Sequence, residues 1–354
     1  MLKKMIVFLV VLGVLLGAAG GLWLWQGLDT LDQPITLVEP EIVTVEQGTA
    51  FAQFARRMEQ EGYVEDDLWV RLFGLLNPDQ TLILAGDYEV TPGMTPRTLL
   101  KNVADGKVKF WSVQFIEGWT FKDVRAALAR SEPLKKVTTD WSAGQIMEAI
   151  GAAGKHPEGW FFPDTYRFNS NETDLDILRR AHDLMTQVLA EEWQNRAENL
   201  PYDSPYEALI MASIVERETG VPHERDQVAG VFVRRLEKGM RLQTDPTVIY
   251  GMGDAYQGQI TRRDLQTYTP YNTYRIDGLP PTPIAMPGRE AIHASLHPAE
   301  GDTYYFVARG DGSHKFSRTL EAHNEAVRKY QLNRREDYRS YRAPSAVEER
   351  EGGD

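Results

Sequence analysis

The chain has 354 residues, 42% of them hydrophobic and 10% aromatic, and a formal net charge of −12. This apolar content excludes a natively unfolded or fibrous chain, and the length allows two or three domains. The acidic balance argues against nucleic acid as a partner, because such proteins gather lysine and arginine against the phosphate backbone. The sequence has no cysteine, which excludes disulfides, thiolate metal sites and thiol nucleophiles.

The N-terminal segment is the most apolar part of the chain. Residues 5–25, MIVFLVVLGVLLGAAGGLWLW, carry no charge, and a helix of that length covers about 30 Å, one hydrocarbon thickness. Lys3 and Lys4 precede the segment, and Asp29 and Asp32 follow it. The positive-inside rule therefore predicts a single-pass anchor in the inner (plasma) membrane, with residues 1–4 in the cytoplasm and the remainder periplasmic or extracytoplasmic.

A cleaved signal peptide is the competing interpretation. The small residues Gly17, Ala18, Ala19 and Gly20 offer a cleavage site. Against it, the apolar run continues through Leu22 to Trp25, beyond that point. Both interpretations export the rest of the chain.

The next segments predict a linker and a small domain. Residues 26–40 contain two prolines and lack helical periodicity, which indicates a stalk. Residues 41–110 begin with a strand–helix–helix–strand order, which resembles a LysM-like carbohydrate-binding subdomain. The elements that carry this order are a strand at 42–45, helices near 51–58 and 67–76, and a strand at 82–90.

The rest of the chain predicts mixed helix and strand, so the fold class is α+β. A strand is expected at 108–116, and residues 111–200 form a connecting, mainly helical region that contains EGWFFPDTYRF at 158–168. Residues 201–333 form the candidate catalytic α/β domain, which begins with a strong helix at 205–219. Residues 334–354 are highly charged and predict a frayed helix and a disordered tail.

The helix ALIMASIVERET contains the sharpest anomaly in the chain. Glu216 and Glu218 follow a continuous apolar run, where burial of a carboxylate is costly. A carboxyl at the mouth of an apolar pocket has a raised pKa, and it can stay protonated near neutrality to act as a general acid.

The two glutamates cannot share one site directly, because residues i and i+2 point about 200° apart on a helix. Glu218 continues the apolar stripe of Met211, Ile214 and Val215, so it is the first choice for the catalytic acid and Glu216 is the second. An ordinary amphipathic helix is the alternative. Its glutamates would pair with one of three arginines, Arg217, Arg225 or Arg234.

Two downstream loops predict a sugar-binding surface, since sugars need fixed polar groups beside aromatic faces. The first, MRLQTDPTVIYGMG, contains Gln243, Thr244 and Asp245. The second, TPYNTYRIDGLPPTPIAMPG, contains Asn272, Thr273 and Tyr274. His314 is a further candidate for lining the groove, and plain turn chemistry is the alternative for each loop.

A metal site is not predicted. His293 and His297 are four residues apart and could chelate, with His314 and His323 as conceivable partners. No glutamate follows the first histidine, and Pro298 indicates that the helix ends there. Hydrogen-bonded structural histidines are the favoured interpretation, and no cofactor is expected.

Several long motifs together resemble the YceG-like family of endolytic murein transglycosylases. The resemblance covers nearly the whole chain, from the apolar N-terminus and the LysM-like subdomain onward. The motifs are EGWFFPDTY, SIVERET, RLQTDPTVIYGMG, YNTY, GLPPTPIAMPG, HPA and YYFVA. The family's catalytic glutamate lies in the IVE-x-E segment and corresponds to Glu218, with Glu216 as the other glutamate of the motif.

The resemblance implies a lytic transglycosylase that cleaves the β-1,4 bond between N-acetylmuramic acid and N-acetylglucosamine. The product would end in 1,6-anhydro-N-acetylmuramic acid, and cleavage of nascent strands would terminate their elongation. The implied partners are peptidoglycan glycan strands, the membrane and peptidoglycan synthases (penicillin-binding proteins).

Two alternatives stay open. A hydrolytic muramidase would need a second carboxylate, for which Asp245 and Asp164 are the candidates near the motifs. The other is a membrane-tethered glycan-binding scaffold without catalysis.

Overall fold

The computed structural model describes residues 2–332, and the predicted C-terminal tail lies outside them. The chain divides into two compact units. The first comprises Met1–Trp111 and Arg167–Glu172, and the second comprises Ser112–Tyr166 and Thr173–Asp354.

The N-terminal helix is longer than the apolar run that predicts it. The first unit has helices α1 (Leu2–Asp29), α2 (Phe51–Gln60), α3 (Asp67–Leu76) and α4 (Pro96–Ala104), with strands β1 (Glu41–Val45) and β2 (Gly86–Val90). Strand β3 (Trp111–Gln114) starts at the boundary, and its residues from Ser112 onward belong to the second unit. By length and composition, α1 can cross a membrane. Its Trp23 ring lies 4.7 Å from that of Trp69 on α3.

The first unit encloses its own core beside an antiparallel pair of strands. β1 pairs with β2 from Glu41 opposite Val90 to Val45 opposite Gly86, and α2 and α3 lie between these strands in sequence. The observed order is therefore strand–helix–helix–strand, and the likeness to LysM stays a prediction. The largest buried side chains of the core include Phe54, Phe73 and Tyr88.

The segment expected to be a stalk contributes to this core. Leu31 is 0% exposed and Ile35 is 5% exposed. The backbone N–H of Ile35 donates to the carbonyl of Met94 at 2.7 Å, and Arg97 forms an ion pair with Asp32. Leu31 and Ile35 have a helical spacing of four residues, but Pro34 interrupts a helix between them, so the spacing does not reveal that they are buried.

The second unit is mainly helical. Its elements are α5 (Phe121–Arg130), α6 (Ala143–Ala149), β4 (Thr165–Phe168), α7 (Asp174–Gln194), α8 (Pro205–Glu218), α9 (Arg225–Glu237), α10 (Asp245–Met252), α11 (Arg262–Gln266), α12 (Arg289–Leu296), β5 (Tyr305–Ala308), β6 (His314–Ser317) and α13 (Leu320–Val327). A π-helical turn, Arg328–Leu332, follows α13. β4 pairs with β3, and β5 pairs with β6 in an antiparallel hairpin.

Helix α8 is the centre of the second unit. Ser204 caps it by accepting from the N–H of Glu207, Pro205 occupies the first turn, and every residue from Ala208 to Glu216 is buried. Helices α7, α9, α10 and α12 all contact it. Because α8 is surrounded on its sides, its C-terminal end is the part that can present a functional group.

Two predicted strands are shorter in the structure. The expected strand at 82–90 is reduced to β2, Gly86–Val90, and the expected strand at 108–116 is reduced to β3, Trp111–Gln114. Before it, the N–H of Lys109 donates to the carbonyl of Asp87 at 2.6 Å, and the N–H of Val108 donates to the carbonyl of Gly106. These bonds direct the N–H groups of Val108 and Lys109 to Gly106 and to Asp87 of β2, so residues 108–109 do not extend β3.

Candidate functional site

The second unit contains a cleft of about 750 Å³ at the C-terminal end of α8. The side chains around it come from helices α8, α9, α10 and α13, from the β5–β6 hairpin, and from loops before and after α10 and after α11. The π-helical turn after α13 also contributes. Those that the argument below uses are Glu218, Arg235, Gln243, Asp245, Tyr274, Tyr305 and His314. A cleft of this volume is in the range of small-molecule and sugar sites.

Glu218 is the last residue of α8 and lines the cleft. The helix ends there because Thr219 is extended and Pro222 follows shortly after. The hydroxyl of Thr244 donates to Oε1 of Glu218. Burial raises the pKa of Glu218 to about 7 against the Thr244 hydrogen bond, and the charge of Asp245 adds to the rise. A carboxyl with this pKa carries a proton in much of the population at neutral pH.

Glu216 lies in different surroundings, although its pKa is also about 7. Burial is the main cause, and Oε2 accepts from the N–H of Gly288 at 3.0 Å. Glu117, Arg225 and Glu290 supply the charges around it. Glu216 is not among the described residues that line the cleft. The apolar stripe therefore produces no difference in pKa between the two glutamates. They differ in access to the cleft, which Glu218 lines.

The loop before α10 contacts Glu218 through Thr244, and other hydrogen bonds hold this loop in place. The N–H of Thr244 donates to Oγ1 of Thr273 at 3.0 Å, and the N–H of Gln243 donates to the carbonyl of Thr273. Gln243 has a φ of 53°, in the left-handed region that a side chain of this size rarely occupies. The surrounding hydrogen bonds hold this backbone, and the side chain of Gln243 lines the cleft.

Three of the expected substrate ligands are buried inside the loops. Asn272 is 1% exposed, and its amide donates to the carbonyls of Asp264, Leu265 and Thr267. Thr273 is 0% exposed and exchanges a hydrogen bond with Thr247 at 2.8 Å. Thr244 is likewise buried and is committed to Glu218. Internal partners therefore already engage the polar atoms of these three residues.

Asp245 and Tyr274 meet at the wall of the cleft. The phenol of Tyr274 donates to Oδ1 of Asp245 at 2.7 Å. Burial raises the pKa of Tyr274, and the charge of Asp245 raises it further. Asp164, the other candidate for a second carboxylate, is not among the described residues that line the cleft, and its Oδ1 accepts from the N–H of Thr165.

Arg235 is a cleft residue that the sequence reasoning missed. It is 7% exposed, and its guanidinium donates to the carbonyls of Tyr304 and Leu242 at 2.7 and 2.8 Å. It opposes the rise in the pKa of Glu218 by favouring the carboxylate. The signal in the sequence was the pair Arg234-Arg235 directly after the apolar run VFV, where a buried arginine needs a partner.

His314 enters the cleft from the β5–β6 hairpin. Its Nδ1 lies 2.8 Å from Oε2 of Glu224, and its backbone N–H donates to Oε1 of the same carboxylate at 2.9 Å. Both side chains are 6% exposed. This bidentate arrangement fixes the ring, and the carboxylate favours a proton on Nδ1. Aromatic side chains of Tyr305 and Phe306, from the same hairpin, form the adjacent wall.

Glu158 is another buried glutamate, and the sequence reasoning did not single it out. Its Oε1 accepts from the N–H of Phe121, at the start of α5, and its Oε2 accepts from the hydroxyl of Tyr250. Burial raises its pKa to about 7. Glu158 is not among the described residues that line the cleft. Its two hydrogen bonds connect α5 to α10.

The histidines considered for a metal site fall into two places. His314 and His323 line the cleft. His293 and His297 lie with Glu192 elsewhere in the second unit, where one ligand atom from each lies within 4.8 Å of the others. The four histidines therefore do not form one cluster.

Comparison with known proteins identifies the relatives of this chain. A family model described as the YceG-like family matches residues 43–329. A Bacillus subtilis protein named endolytic murein transglycosylase is 32% identical over 263 residues, which cover 70% of this chain and 72% of that protein. A Streptococcus pneumoniae protein of the same name is 27% identical, over 90% of this chain and 64% of that protein.

A solved structure supports the same relationship. The crystal structure of a yceG-like protein from Listeria monocytogenes is similar to this chain with a TM-score of 0.52 and 29% identity. The similarity covers 81% of this chain and 99% of the Listeria chain.

Proposed function

Because the chain belongs to the YceG-like family, we propose that it is an endolytic peptidoglycan lytic transglycosylase. It cleaves the β-1,4 bond between N-acetylmuramic acid and N-acetylglucosamine inside glycan strands. The cut leaves a 1,6-anhydro-N-acetylmuramic acid end, and cutting of nascent strands terminates their elongation.

The observation that carries this proposal is the position of Glu218, a buried carboxyl with a raised pKa, in an accessible cleft. Its pKa of about 7 lets the carboxyl hold a proton at neutral pH, and it lines a cleft large enough for sugar units. Glu216 has a similar pKa but contacts Gly288 instead of the cleft. These features favour Glu218 as the catalytic residue.

The reaction balances with one carboxyl group. Protonated Glu218 gives its proton to the glycosidic oxygen while the bond from that oxygen to the anomeric carbon of the muramyl residue breaks. The carboxylate then takes the proton of the muramyl 6-hydroxyl, and the 6-oxygen bonds to the anomeric carbon. Glu218 is protonated again at the end, and no water is consumed.

The cleft residues have separate parts in this scheme. Gln243, Asp245, Tyr274 and His314 are the proposed substrate contacts, since each lines the cleft. Tyr305 offers a ring against which a sugar face can stack. Thr244, Asn272 and Thr273 hold Glu218 and the loops in position through their internal hydrogen bonds.

A hydrolytic muramidase is the second candidate. Asp245 lines the same cleft as Glu218 and raises its pKa, so a carboxylate pair is present. Hydrolysis needs that second carboxylate as a nucleophile or base. In the structure the Tyr274 phenol donates to Asp245, which favours a binding role. A non-catalytic glycan-binding scaffold makes no use of a protonated Glu218.

The test is digestion of purified glycan strands in water enriched in heavy oxygen, followed by mass spectrometry of the new ends. A transglycosylase gives anhydro ends without heavy oxygen. Reducing ends that carry heavy oxygen would overturn the proposal in favour of a muramidase. No cleavage by a folded, glycan-binding chain would favour the scaffold.

The membrane placement completes the proposal. Helix α1 is long and apolar enough to cross a bilayer, and Lys3 and Lys4 favour a cytoplasmic N-terminus. The cleft then lies outside the plasma membrane, on a tether that restricts it to strands near the bilayer. Strands at this position are newly made, which favours penicillin-binding proteins as neighbours.

A further inference from the structure

Helix α3 of the first unit has apolar residues on two opposite faces. On a helix that turns about 100° per residue, Val70, Phe73 and Gly74 form one face, and all three are buried in the first unit. The opposite face spans an arc of about 120° and is formed by Leu68, Trp69, Leu72, Leu75 and Leu76. We call these five residues the outer face of α3. A surface helix ordinarily carries polar residues on its outward side.

The outer face is open at the C-terminal end of α3. Leu75 is 76% exposed and Leu76 is 59% exposed. The methyl group of Thr81 lies beside Gly74, so the chain after α3 returns along the end of the helix. Leu82 and Leu84 follow, and both are exposed. Single exposed leucines are ordinary, but several in one place mark an interaction surface.

The outer face adjoins the helix that can cross a membrane. The ring of Trp23 on α1 lies 4.7 Å from the ring of Trp69. The Trp69 ring also fills the space that a side chain at Gly27 would need, so α1 and α3 are in direct contact there. Asp29, the first charged residue after the apolar run, is about 9 Å beyond Trp23 along the helix axis. The contact with α3 is therefore at the level where α1 would leave the hydrocarbon.

We propose that the outer face of α3, together with Leu82 and Leu84, docks onto the surface of the bilayer from which α1 emerges. The proposal rests on the proposed membrane placement of α1 and not on the chemistry of Glu218. The first unit is then held at two places, by α1 through the bilayer and by α3 on its surface. It cannot swing freely about the end of α1.

The composition of this region suits the boundary between lipid and water. Trp23 and Trp25 are exposed near the end of α1, and Trp69 lies against Trp23. Tryptophan rings concentrate at membrane interfaces, and a helix that lies in the interface places leucines toward the acyl chains. Three tryptophans and a leucine-rich face therefore occupy one level of the first unit.

The charged residues of α3 lie beside the outer face and not within it. Arg71 forms an ion pair with Asp67 at 2.7 Å, and Asp79 is exposed in the turn after the helix. Docking of the five apolar residues therefore brings no charge into the acyl region, where a charge is costly. Arg71 and Asp79 stay at the level of the lipid headgroups.

A second copy of this chain is the competing occupant of the outer face. Two such faces could bury their leucines against each other while each α1 crosses the same bilayer. The two accounts differ in their dependence on protein concentration. Contact with lipid is independent of how many chains the bilayer contains, whereas pairing of copies weakens on dilution.

The experiment measures the depth of single nitroxide labels in the full chain, reconstituted in vesicles of phosphatidylethanolamine and phosphatidylglycerol. Because the sequence has no cysteine, Leu75→Cys and Leu76→Cys each give one labelling site. Leu12→Cys reports insertion of α1. Val137→Cys is the matched control, because Val137 is an exposed apolar residue of the second unit. Accessibility of each label to oxygen and to a water-soluble nickel complex gives its depth, and circular dichroism checks the fold.

The proposal expects the labels at residues 75 and 76 to lie about 5–10 Å inside the boundary between headgroups and acyl chains. The label at residue 137 should stay in water. Equal nickel accessibility at residues 75, 76 and 137 would overturn the proposal even when the label at residue 12 is in lipid. A label at residue 12 that nickel reaches freely would refute the membrane placement itself, and the docking with it.

Spin–spin broadening separates the two occupants. Broadening at residue 75 or 76 that disappears when labelled chain is diluted with unlabelled chain would assign the outer face to a second copy and overturn the proposal. Spectra and depths that do not change on this dilution are the expected result.

Discussion

Two glutamates of α8 have nearly the same pKa, about 7, but face different groups. Glu218 receives a hydrogen bond from the Thr244 hydroxyl at the cleft, and Glu216 receives one from the backbone of Gly288. Desolvation alone therefore does not identify the catalytic acid. The identification requires both a proton and a path for the substrate to reach it.

The first prediction concerns these two residues. Glu218→Gln keeps the size of the side chain and can still accept from Thr244, but it cannot donate and recover a proton. We expect a loss of glycan cleavage of roughly 10³-fold or more with glycan binding retained. Release of soluble fragments from glycan strands measures cleavage, and co-sedimentation of the protein with strands measures binding.

Glu216→Gln is the matched control for Glu218→Gln, because it makes the same chemical change on the same helix. It should retain most of the activity. The opposite pattern, with activity lost in Glu216→Gln and kept in Glu218→Gln, would move the catalytic role to Glu216.

The second prediction concerns the pH dependence of cleavage. The acid form of Glu218 falls away as pH rises through its pKa, so activity should decline above about pH 7. The Thr244 hydroxyl stabilises the carboxylate and lowers this pKa. Thr244→Val removes that hydrogen bond, so the declining limb should move to higher pH by up to about one unit. The pH profile of kcat/KM measures the shift.

Thr244→Ser retains the hydroxyl and should leave the limb near its original position. A limb that moves to lower pH in Thr244→Val would contradict the assignment of the titrating group to Glu218.

At the residue scale, the cleft residues that the sequence points to are those that break a local pattern, and their roles stay predictions. Glu218 follows an apolar run, and Gln243 and Asp245 cluster before a proline, so their unusual positions are visible in the sequence. Arg235 and Glu158 were not found, because their partners are distant in sequence. Tyr304 accepts from Arg235 across 69 residues, and Tyr250 donates to Glu158 across 92 residues.

At the element scale, helices were easier to predict than strands. The capped starts of α5 and α7 each carry a threonine with an acidic residue three positions later, at Thr120 and Thr173. The short strand β3 depends instead on which backbone groups find partners, and Lys109 bonds to Asp87 before the strand begins. Such long-range pairing leaves little local signal.

The third prediction concerns the contact between α5 and α10 through Glu158. Its folded pKa of about 7 lies above its ordinary value of 4.5, so the folded state binds more protons than the unfolded state between these values. The contribution of Glu158 to stability is therefore full below about pH 4.5 and is lost as pH rises through 7. A tenfold change in proton affinity corresponds to about 1.4 kcal/mol.

Glu158→Gln removes this titration and keeps both contacts, because its amide oxygen accepts from Phe121 and its amide nitrogen donates to the Tyr250 oxygen. Relative to the unaltered chain, the variant should gain stability between pH 5 and pH 8, by on the order of 3 kcal/mol. Denaturant unfolding at both pH values measures the difference. The exposed Glu300→Gln serves as control, and an identical pH response in all three chains would refute the prediction.

At the scale of the whole molecule, the N-terminal segment has two roles that divide near residue 26. Residues of α1 before that point are largely exposed and suited to lipid, whereas Leu31 and Ile35 belong to the core of the first unit. Hydropathy alone predicts the first role. Hydropathy does not predict the second role, since Pro34 interrupts the helical spacing of Leu31 and Ile35.

The fourth prediction tests this division by truncation. A chain without residues 1–25 should be soluble and keep a folded first unit. A chain without residues 1–40 also loses Leu31 and Ile35, and removal of one such buried side chain costs about 2–5 kcal/mol. Circular dichroism during heating should show an earlier transition in the shorter chain. Coincident transitions would mean that residues 26–40 add nothing to the fold.

The cleft wall formed by α13 and the π-helical turn after it affects when the cleft is complete during synthesis. Leu320, His323, Val327 and Gln331 complete a site whose acid lies more than a hundred residues earlier, at Glu218. A polypeptide still being synthesised, or one clipped by a protease after Ser317, has the acid but not this wall. We therefore expect no cutting of glycan strands until residues 320–331 have been synthesised and have completed the cleft.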